Sequence, residues 1–351
     1  MNVDRSSAVD QTSLIGASVV IVHYEGLNQL RSCLDSILKS DADGVEVIVI
    51  DNASRDSCTE AIGGSYPTVR FVKAPQNLGT SGGWNLGAKA ATRPLLVFLN
   101  DDVLVPPRWL TSLTSHLDDP SVGVASATAL FLDQPETINS AGGILDFLGF
   151  GLNRSIGQPY YGFVGQPHEK PFYAVGTAFA TRKDVLERSG GFDEEMFMYA
   201  DDLDWSWRLR LMGYKVLVDE RVVVYHKWHG SGLTLNRMAY LLERNELRAV
   251  LKNYGAAALV WIAPALTMVK LAKGFALLLL DRSLFRSIVQ GWFWNLANLR
   301  ETLQERRSVQ SKRQVTDRTI VHDMVVGSLE LRIGLGWHHH PLRAAVGERG
   351  V

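Results

Sequence analysis

Residues 94–102 read Pro94-Leu95-Leu96-Val97-Phe98-Leu99-Asn100-Asp101-Asp102, an apolar run that ends abruptly in an amide and two carboxylates. Such a run predicts a strand buried on both faces, so its polar end predicts charge at the rim of a sheet. That rim is where open α/β sheets bind their ligands. A second acidic cluster, Asp201-Asp202-Leu203-Asp204, opens a later helical stretch. We expect the two clusters to form one site, with one carboxylate for a divalent metal and another for proton transfer.

Segments of strand and helix character alternate around this run. Buried strands read as continuous apolar stretches, whereas helices repeat apolar residues at one-turn spacing. The alternation predicts an α/β fold with a doubly wound, mostly parallel sheet. The predicted strands are residues 17–22, 45–50, 69–72, 95–99, 122–129, 215–218 and 222–225. The predicted helices are residues 28–37, 57–62, 84–91, 183–189 and 202–212, with a glycine-rich turn at 77–83 and loops at 138–171.

The composition is that of a globular protein that does not bind nucleic acid. The chain has 351 residues, of which 46% are hydrophobic and 21% charged, and a formal net charge of −1. Its two cysteines, Cys33 and Cys58, have no metal-binding spacing and imply no disulfide framework, which favours a reducing compartment. Residues 1–11 lack the pattern of a signal peptide, and we expect residues 1–14 to form a flexible leader.

The C-terminal third differs from the rest in charge and in pattern. Residues 237–351 contain 17 Lys+Arg against 9 Asp+Glu, so a basic segment follows an acidic body, unless the charges cluster by chance. Residues 255–280 are strongly apolar but include Pro264, Lys270 and Lys273, which favours helical packing or in-plane membrane insertion over a transmembrane span. Trp292 and Trp294 beside arginines suit a membrane interface. We predict a catalytic domain at 15–236, a helical, membrane-associating region at 237–320 and a tail at 321–351.

Several short motifs follow one another in an order that resembles glycosyltransferase family 2, the inverting nucleotide-sugar transferases of the GT-A fold. The resemblance covers residues 15–230, and residues 240–317 are similar to the C-terminal helices of bacterial rhamnosyl- and galactofuranosyltransferases of cell-surface polysaccharide pathways. The matching motifs are Ser18–Val22 with Cys33-Leu34-Asp35-Ser36, Val49–Ser54, Asn77-Leu78-Gly79 with Asn85-Leu86-Gly87, Phe98–Asp102, Gly190-Gly191-Phe192-Asp193, and Asp201–Asp204 with Arg208.

The resemblance implies a role for each of these positions. Asp102 would hold Mg²⁺ or Mn²⁺ together with His226, for which His229 is the competitor. Asp202 would be the general base, and Asp201 would position it. The residues implied in donor binding are Tyr24, Asp51, Asn77, Gly79, Gly82, Gly83, Asn85, Asn100, Asp101 and Arg208. One departure is His23-Tyr24-Glu25, where the family usually has Tyr-Asn.

Each implied role has a structural alternative. Asp51 follows a strand and can cap a helix, the acidic residues of the second cluster can stabilise a helix N-terminus, and Arg208 can pair with Asp204 one turn away. Trp84, Trp205 and Trp207 can stack on sugars or pack in the core.

The resemblance implies a metal-dependent transferase at the cytoplasmic face of the plasma membrane. Its donor would be dTDP-rhamnose or UDP-galactofuranose, and its acceptor a lipid-linked or growing glycan. The alternative is an inactive family member that serves as a membrane-docked scaffold. A dinucleotide-dependent oxidoreductase would need Gly-x-Gly-x-x-Gly where His23-Tyr24-Glu25-Gly26 stands. A processive synthase would carry a Gln-x-x-Arg-Trp motif and several spans, so addition of a single sugar is favoured.

Overall fold

The computed structural model describes residues 16–42, 44–166, 169–228 and 233–330. The predicted leader, His229 and the part of the predicted tail beyond residue 330 lie outside the described residues. Within the described part, the strands are β1 (Ala17–His23), β2 (Glu46–Asp51), β3 (Val69–Lys73), β4 (Leu95–Asn100), β5 (Val103–Leu104), β6 (Val122–Phe131), β7 (Gln134–Ser140), β8 (Gly143–Leu145), β9 (Gly151–Asn153), β10 (Ala178–Arg182) and β11 (Lys215–His226). The helices are α1 (Leu27–Leu38), α2 (Cys58–Ile62), α3 (Gly79–Ala90), α4 (Trp109–Thr114), α5 (Lys183–Ser189), α6 (Asp201–Leu211), α7 (Leu235–Asn253), α8 (Ala256–Leu280), α9 (Arg282–Ala297), α10 (Leu299–Ser311) and α11 (Asp317–Val321).

One mixed sheet organises the fold, in the strand order β3-β2-β1-β4-β10-β6-β11-β5, with β7 paired to β6. Strands β1 to β4 pair in parallel, β10 runs antiparallel to both of its neighbours, and β6 is parallel to β11. The carboxyl ends of β1, β2, β4, β6 and β11 therefore meet at one edge of the sheet. The predicted α/β fold with a mostly parallel sheet is confirmed.

Helices cover both faces of the sheet. On one face, α1, α2 and α4 bury residues such as Leu34 and Trp109 against the strands, and on the other α3, α5 and α6 bury residues such as Trp84 and Trp205. Helix α6 has a second buried side, where Trp207 packs with residues of α7 and α10. The C-terminal helices therefore share a core with α6, which also packs on the sheet.

Three predicted boundaries differ from the structure. Residues 215–226 form one strand with register shifts rather than two strands, because a bulge lets β11 continue along β6. Residues 138–171 include the end of β7 and the β8–β9 hairpin rather than loops alone. The predicted glycine-rich turn is wrong in its extent, since α3 begins at Gly79.

The glycines of α3 serve close packing within the protein. A Cβ on Gly79, whose φ is +69°, would lie 1.9 Å from the carbonyl oxygen of Phe197, and a Cβ on Gly83 would lie 2.6 Å from Val22 of β1. Only glycine permits both the positive φ and these contacts. The small residues thus let α3 sit directly on the sheet and on the segment that precedes α6.

Helix α8 has its charged residues inside and its apolar residues outside. Lys270 and Lys273 both pair with buried Glu243 of α7, at 2.8 and 2.7 Å, whereas Trp261 is 85% and Leu280 84% exposed. Within the described residues, α8 is the one helix with the length and apolar composition to cross a membrane, and 22% of its most apolar window is buried. The lysines that interrupt the apolar pattern therefore do not interrupt the apolar surface.

Candidate active site

The first acidic motif and His226 meet at the sheet edge. Asp102 follows β4, and its Oδ1 lies 3.1 Å from Nε2 of His226 at the end of β11. The backbone N–H of Lys227 donates to the carbonyl of Asp102 at 3.0 Å, which ties the two strand ends together. The antiparallel pairing of β5 with β11, in which Val103 lies opposite His226, fixes the same alignment. Residues more than a hundred positions apart in sequence are thus brought within contact distance.

This pair fits a divalent cation as a partial ligand set. The Nδ1 of His226 lies 3.0 Å from Oδ1 of Asn139, and when Nδ1 donates to this oxygen, Nε2 presents its lone pair towards the Asp102 carboxylate. In that tautomer, a nitrogen and a carboxylate oxygen with available lone pairs face each other, which suits a metal ion. No group of three or more His, Cys, Asp or Glu able to hold a metal occurs among the described residues. A bound ion would therefore need oxygen ligands from another source, such as a diphosphate.

Asp101 points away from this pair, into an ion pair with His23. The His23 ring is fully buried, with Nδ1 2.6 Å from Asp101 and Nε2 3.1 Å from Asp56. Burial lowers the pKa of His23, but hydrogen bonds and charge from Asp101 and then Asp56 outweigh it and raise that pKa above its ordinary value. His23 thus offsets the charge of Asp101, and Asp102 is the carboxylate that faces His226.

Asp202 is held in place by backbone donors. The N–H of Gly176 donates to its Oδ2 at 2.7 Å, and the N–H of Leu203 donates to Oδ1 at 2.8 Å. Burial and then the neighbouring charge of Asp201 raise the pKa of Asp202 to about 7. A carboxylate with this pKa is half ionised near neutral pH, which suits a general base.

Asp201 turns towards α3. Its Oδ2 accepts hydrogen bonds from the hydroxyls of Thr80 at 2.7 Å and Ser81 at 3.0 Å. Although these two bonds favour the ionised form, burial is stronger and raises the pKa of Asp201 as well. Asp201 therefore anchors the start of α6 to the start of α3 while Asp202 points elsewhere.

Asp204 and Arg208 belong to a buried network beneath α6. Fully buried Asp204 accepts from Arg208 Nε at 2.9 Å, Lys252 Nζ at 3.0 Å and Asn253 Nδ2 at 2.9 Å. Arg208 also donates to the carbonyl of Ser189 at 2.9 Å. The structure thus contains the intrahelical pair that is the alternative to a donor-binding Arg208, and contact of Arg208 with the donor stays a prediction.

The predicted donor-binding residues near β2 organise the protein's own backbone. The Asp51 carboxylate accepts from the N–H of Ser54 at 2.9 Å and the hydroxyl of Thr59 at 2.7 Å. Burial opposes ionisation, but these hydrogen bonds lower the pKa of Asp51. The Asn77 side chain accepts from the N–H of Gly79 at 2.9 Å and so shapes the start of α3.

Three further predicted residues lie in different settings. The Asn85 amide bonds both the N–H and the carbonyl of Phe192, each at 2.9 Å, and thus joins α3 to the segment after α5. Tyr24 lies at the rim with the Arg55 guanidinium 5.7 Å from its ring centroid. Asn100 ends β4, and its N–H donates to the carbonyl of Thr177 at 3.1 Å.

The three tryptophans weighed for sugar stacking are core residues. Trp84 packs with Phe98, Phe179 and Phe192, and both Trp205 and Trp207 are fully buried. Trp84 nevertheless lies next to the site, where it leaves room only for a glycine at position 176. A Cβ on Gly176 would lie 2.6 Å from the Trp84 ring and 3.4 Å from Asp202.

Several residues of the site carry no signal in the sequence. Gly176 acts through its backbone, Thr80 and Ser81 act through long-range contacts, and Asn139 reaches His226 from a hairpin. His23, which pairs with Asp101, differs from these residues because the sequence marks it as a departure from the family pattern.

Comparisons with known proteins indicate the family and the fold. Residues 18–190 match the model of "Glycosyl transferase family 2". The chain is 28% identical over 226 residues to the O-antigen biosynthesis protein RfbC of Myxococcus xanthus, covering 60% of this chain and 17% of that protein. It is 29% identical over 241 residues to the N-acetylglucosaminyl-diphospho-decaprenol L-rhamnosyltransferase of Mycobacterium tuberculosis, covering 61% and 77% of the two chains. The chain spans from 17% to 42% of the length of the first curated relatives that it matches.

Two solved structures share the fold. GalNAc-T7, crystallised with UDP, GalNAc and Mn²⁺, matches with a TM-score of 0.54 and 18% identity over 69% of this chain and 48% of that one. The mannosyltransferase PcManGT of Pyrobaculum calidifontis, in complex with GDP-Man and Mn²⁺, matches with a TM-score of 0.51 and 18% identity over 85% of both chains. At this identity the likeness concerns the fold alone.

Proposed function

We propose a function from the premise that this chain belongs to glycosyl transferase family 2 through residues 18–190. The protein transfers a sugar from a nucleoside-diphosphate donor to a glycan acceptor, with inversion of configuration at the anomeric carbon. The proposal is carried by the arrangement of two groups. Asp102 and His226, a pair that suits a metal ion, lie together at the sheet edge. Asp202, a carboxylate with a pKa of about 7, is fixed at the start of α6.

In this reaction Asp202 removes the proton of the attacking acceptor hydroxyl. A new bond forms between that oxygen and the anomeric carbon as the bond to the diphosphate breaks, and the proton ends on Asp202. Gly176 and Leu203 each occupy one lone pair of the carboxylate, so each oxygen retains a second lone pair for the hydroxyl. The charge of Asp201 contributes to the raised pKa of Asp202. The hydrogen bonds that Asp201 accepts from Thr80 and Ser81 hold the start of α6 in place.

The donor would lie along the carboxyl ends of β1, β2 and β4. Asp102 and His226 would hold Mg²⁺ or Mn²⁺, which when bound offsets negative charge on the leaving diphosphate. His23 limits the negative charge at this edge by pairing with Asp101. Asp51, Asn77 and Asn85 bond the surrounding backbone. Direct donor contacts by these residues, by Tyr24 and by the glycines of α3 belong to the proposal.

We favour dTDP-rhamnose as donor and a lipid-linked acceptor, because the M. tuberculosis relative is named an L-rhamnosyltransferase that acts on N-acetylglucosaminyl-diphospho-decaprenol. UDP-galactofuranose is the second candidate. The test offers both donors with a polyprenyl-diphospho-N-acetylglucosamine acceptor and determines the product's anomeric configuration by NMR. An inverted rhamnosyl product supports the proposal, and a retained configuration contradicts it. Specific donor binding without turnover of either donor would favour the inactive scaffold.

The first prediction is that transfer requires a divalent cation. Asp102→Ala should weaken Mn²⁺ binding in the presence of nucleoside diphosphate by more than about 10²-fold, since even outer-shell changes cost ~10- to 10²-fold. Electron paramagnetic resonance of free Mn²⁺ measures this independently of turnover. Asp133→Ala, in the exposed β6–β7 turn, is the matched control and should bind Mn²⁺ normally. Full transfer in excess EDTA would contradict the prediction.

The outward face of α8 and α9 supports peripheral docking on the cytoplasmic side of the plasma membrane. Trp261, Met268 and Phe275 recur at seven-residue spacing and are all at least 65% exposed, and Phe293 of α9 is equally exposed. An exposed apolar surface of this kind requires an apolar partner. Exposed basic residues flank it, among them Arg282, Arg286 and Arg300, and they suit anionic head groups. A bilayer would also bring the enzyme to a lipid-linked acceptor.

The second prediction concerns this face. Trp261→Ser with Phe275→Ser should weaken binding to anionic vesicles by at least about 10²-fold, because each buried large apolar side chain contributes roughly 1.5–3 kcal/mol. High salt should weaken wild-type binding without abolishing it, since the basic residues contribute a screened part. Co-sedimentation measures both effects. Leu38→Ser, on the far side of the sheet, is the control. Unchanged binding by the double variant would exclude docking through this face.

A further inference from the structure

Segment 197–200, which precedes α6, has a strained backbone. Phe197, Tyr199 and Ala200 have φ values of 63°, 69° and 57°, in the left-handed region that side chains other than glycine rarely adopt. Ala200 directly precedes Asp201 and Asp202. Strain of this kind persists only where neighbouring groups hold the backbone, and it concentrates at functional sites.

Two adjacent side chains of α7 hold this segment. The Asn245 amide, which is fully buried, donates to three carbonyls, those of Met196 at 2.9 Å, Met198 at 2.9 Å and Tyr199 at 2.8 Å. Arg244 donates through one nitrogen to the carbonyls of Glu195 at 2.6 Å and Met196 at 2.8 Å. Two side chains of α7 thus bind the backbone carbonyls of four residues within segment 195–199, which leads into α6.

The two side chains also support each other and are supported by α9. The Nε of Arg244 donates to Oδ1 of Asn245 at 2.8 Å. The Arg244 guanidinium lies 4.6 Å from the centroid of the Trp294 ring, and Asn295 donates to the carbonyl of Arg244 at 2.9 Å. On the opposite side, the carbonyl of Phe197 accepts from the N–H of Ser81 at 3.3 Å. Hydrogen bonds from α3 on one side and from α7 on the other therefore hold segment 195–199.

We propose that Arg244 and Asn245 are positioning residues that hold segment 197–200 in its strained conformation and thereby aim Asp202 at the acceptor hydroxyl. This inference rests on the proposed function. It gives Arg244 and Asn245 of α7 a role in catalysis, in addition to any docking role of α8 and α9. Because both side chains bond the backbone of segment 195–199, we expect their replacement to lower the rate of the chemical step and to leave the affinity for the donor unchanged.

The test replaces Asn245 with Ala in the full-length chain and measures kcat, donor Kd and thermal unfolding. Because a displacement of about 1 Å at a catalytic group can cost ~10²-fold in rate, kcat should fall about 10- to 10²-fold. Donor Kd should stay at the wild-type value. A merely structural role would lower the melting temperature while leaving kcat of the folded protein unchanged, and that outcome would overturn the inference.

Matched variants complete the test. Asn236→Ala removes another amide of α7, which bonds Ser283 of α9 at 2.7 Å, and should keep the wild-type kcat. If Asn245→Ala does not fold, Arg244→Lys retains the charge but not the forked contact, and it should also lower kcat with donor Kd unchanged. Wild-type kcat in Arg244→Lys would then overturn the inference. A wild-type protein that binds no nucleotide sugar would instead refute the proposed function.

Discussion

Asp202→Asn lowers kcat by at least about 10²-fold and leaves donor Kd unchanged, because general-base catalysis contributes ~10²–10⁴-fold. The amide keeps the shape of the carboxylate but cannot accept the proton of the acceptor hydroxyl. Steady-state kinetics at saturating acceptor, together with calorimetric donor binding, measure the two quantities. A loss confined to donor KM would assign Asp202 to donor binding instead.

The pH dependence of kcat provides the control for this result. Asp202 must be ionised to act, so wild-type kcat should rise with pH through a midpoint near 7, the pKa at which burial and Asp201 set it. Asp201→Asn removes the neighbouring charge while its amide oxygen still accepts from Thr80 and Ser81. The midpoint should therefore move to lower pH in that variant. An unmoved midpoint would mean that another group governs the profile.

Asp204→Asn destabilises the fold by about 3–5 kcal/mol, the usual cost of breaking a buried ion pair. Fully buried Asp204 pairs with Arg208 and Lys252; in the variant Lys252 would retain Asp193, but buried Arg208 would lose the carboxylate with which it pairs. Burial opposes its ionisation, but Lys252 and Arg208 lower the pKa of Asp204 below that of the unfolded chain. Its contribution is therefore present above pH ~3.9 and lost as the pH falls towards the folded pKa. Urea unfolding of both proteins at pH 7 and at acid pH measures it.

A surface pair gives the matched comparison. Asp184→Asn removes an intrahelical partner of Arg188 at a side chain that is 60% exposed, and should cost less than about 0.5 kcal/mol. Equal costs for the two variants would show that Asp204 is not part of a stabilising buried network. Unfolding free energies that differ by the same amount at acid and neutral pH would contradict the assigned role of its charge.

Much of the fold is legible from local patterns. The run before Asp101 is the central strand β4, and α5 occupies the predicted residues 183–189. These segments are predictable because a continuous apolar run in β4 and apolar residues at helical spacing in α5 are local properties of the sequence. The extent of α3 was missed because glycines weaken helix propensity, and here they are needed for contact with Val22 and Phe197.

The candidate site was legible at strand ends and not beyond them. The family resemblance implies that Asp102 acts with His226, and the sheet brings the two side chains to 3.1 Å. The difference between Asp202 and Asp204 could not be read, because it depends on Lys252 and Asn253, which approach from α7. Likewise, Lys270 interrupts an apolar pattern in sequence, and only the fold reveals that it faces Glu243.

The most direct test of the central claim is a donor screen with the full-length protein. UDP- and dTDP-sugars are each incubated with Mn²⁺ or Mg²⁺, and release of nucleoside diphosphate is measured for the wild type and for Asp102→Ala. The wild type should consume at least one donor only when a divalent cation is present, and Asp102→Ala should consume none of them. A folded wild-type protein that neither binds nor hydrolyses any of these donors, with either metal, would contradict it.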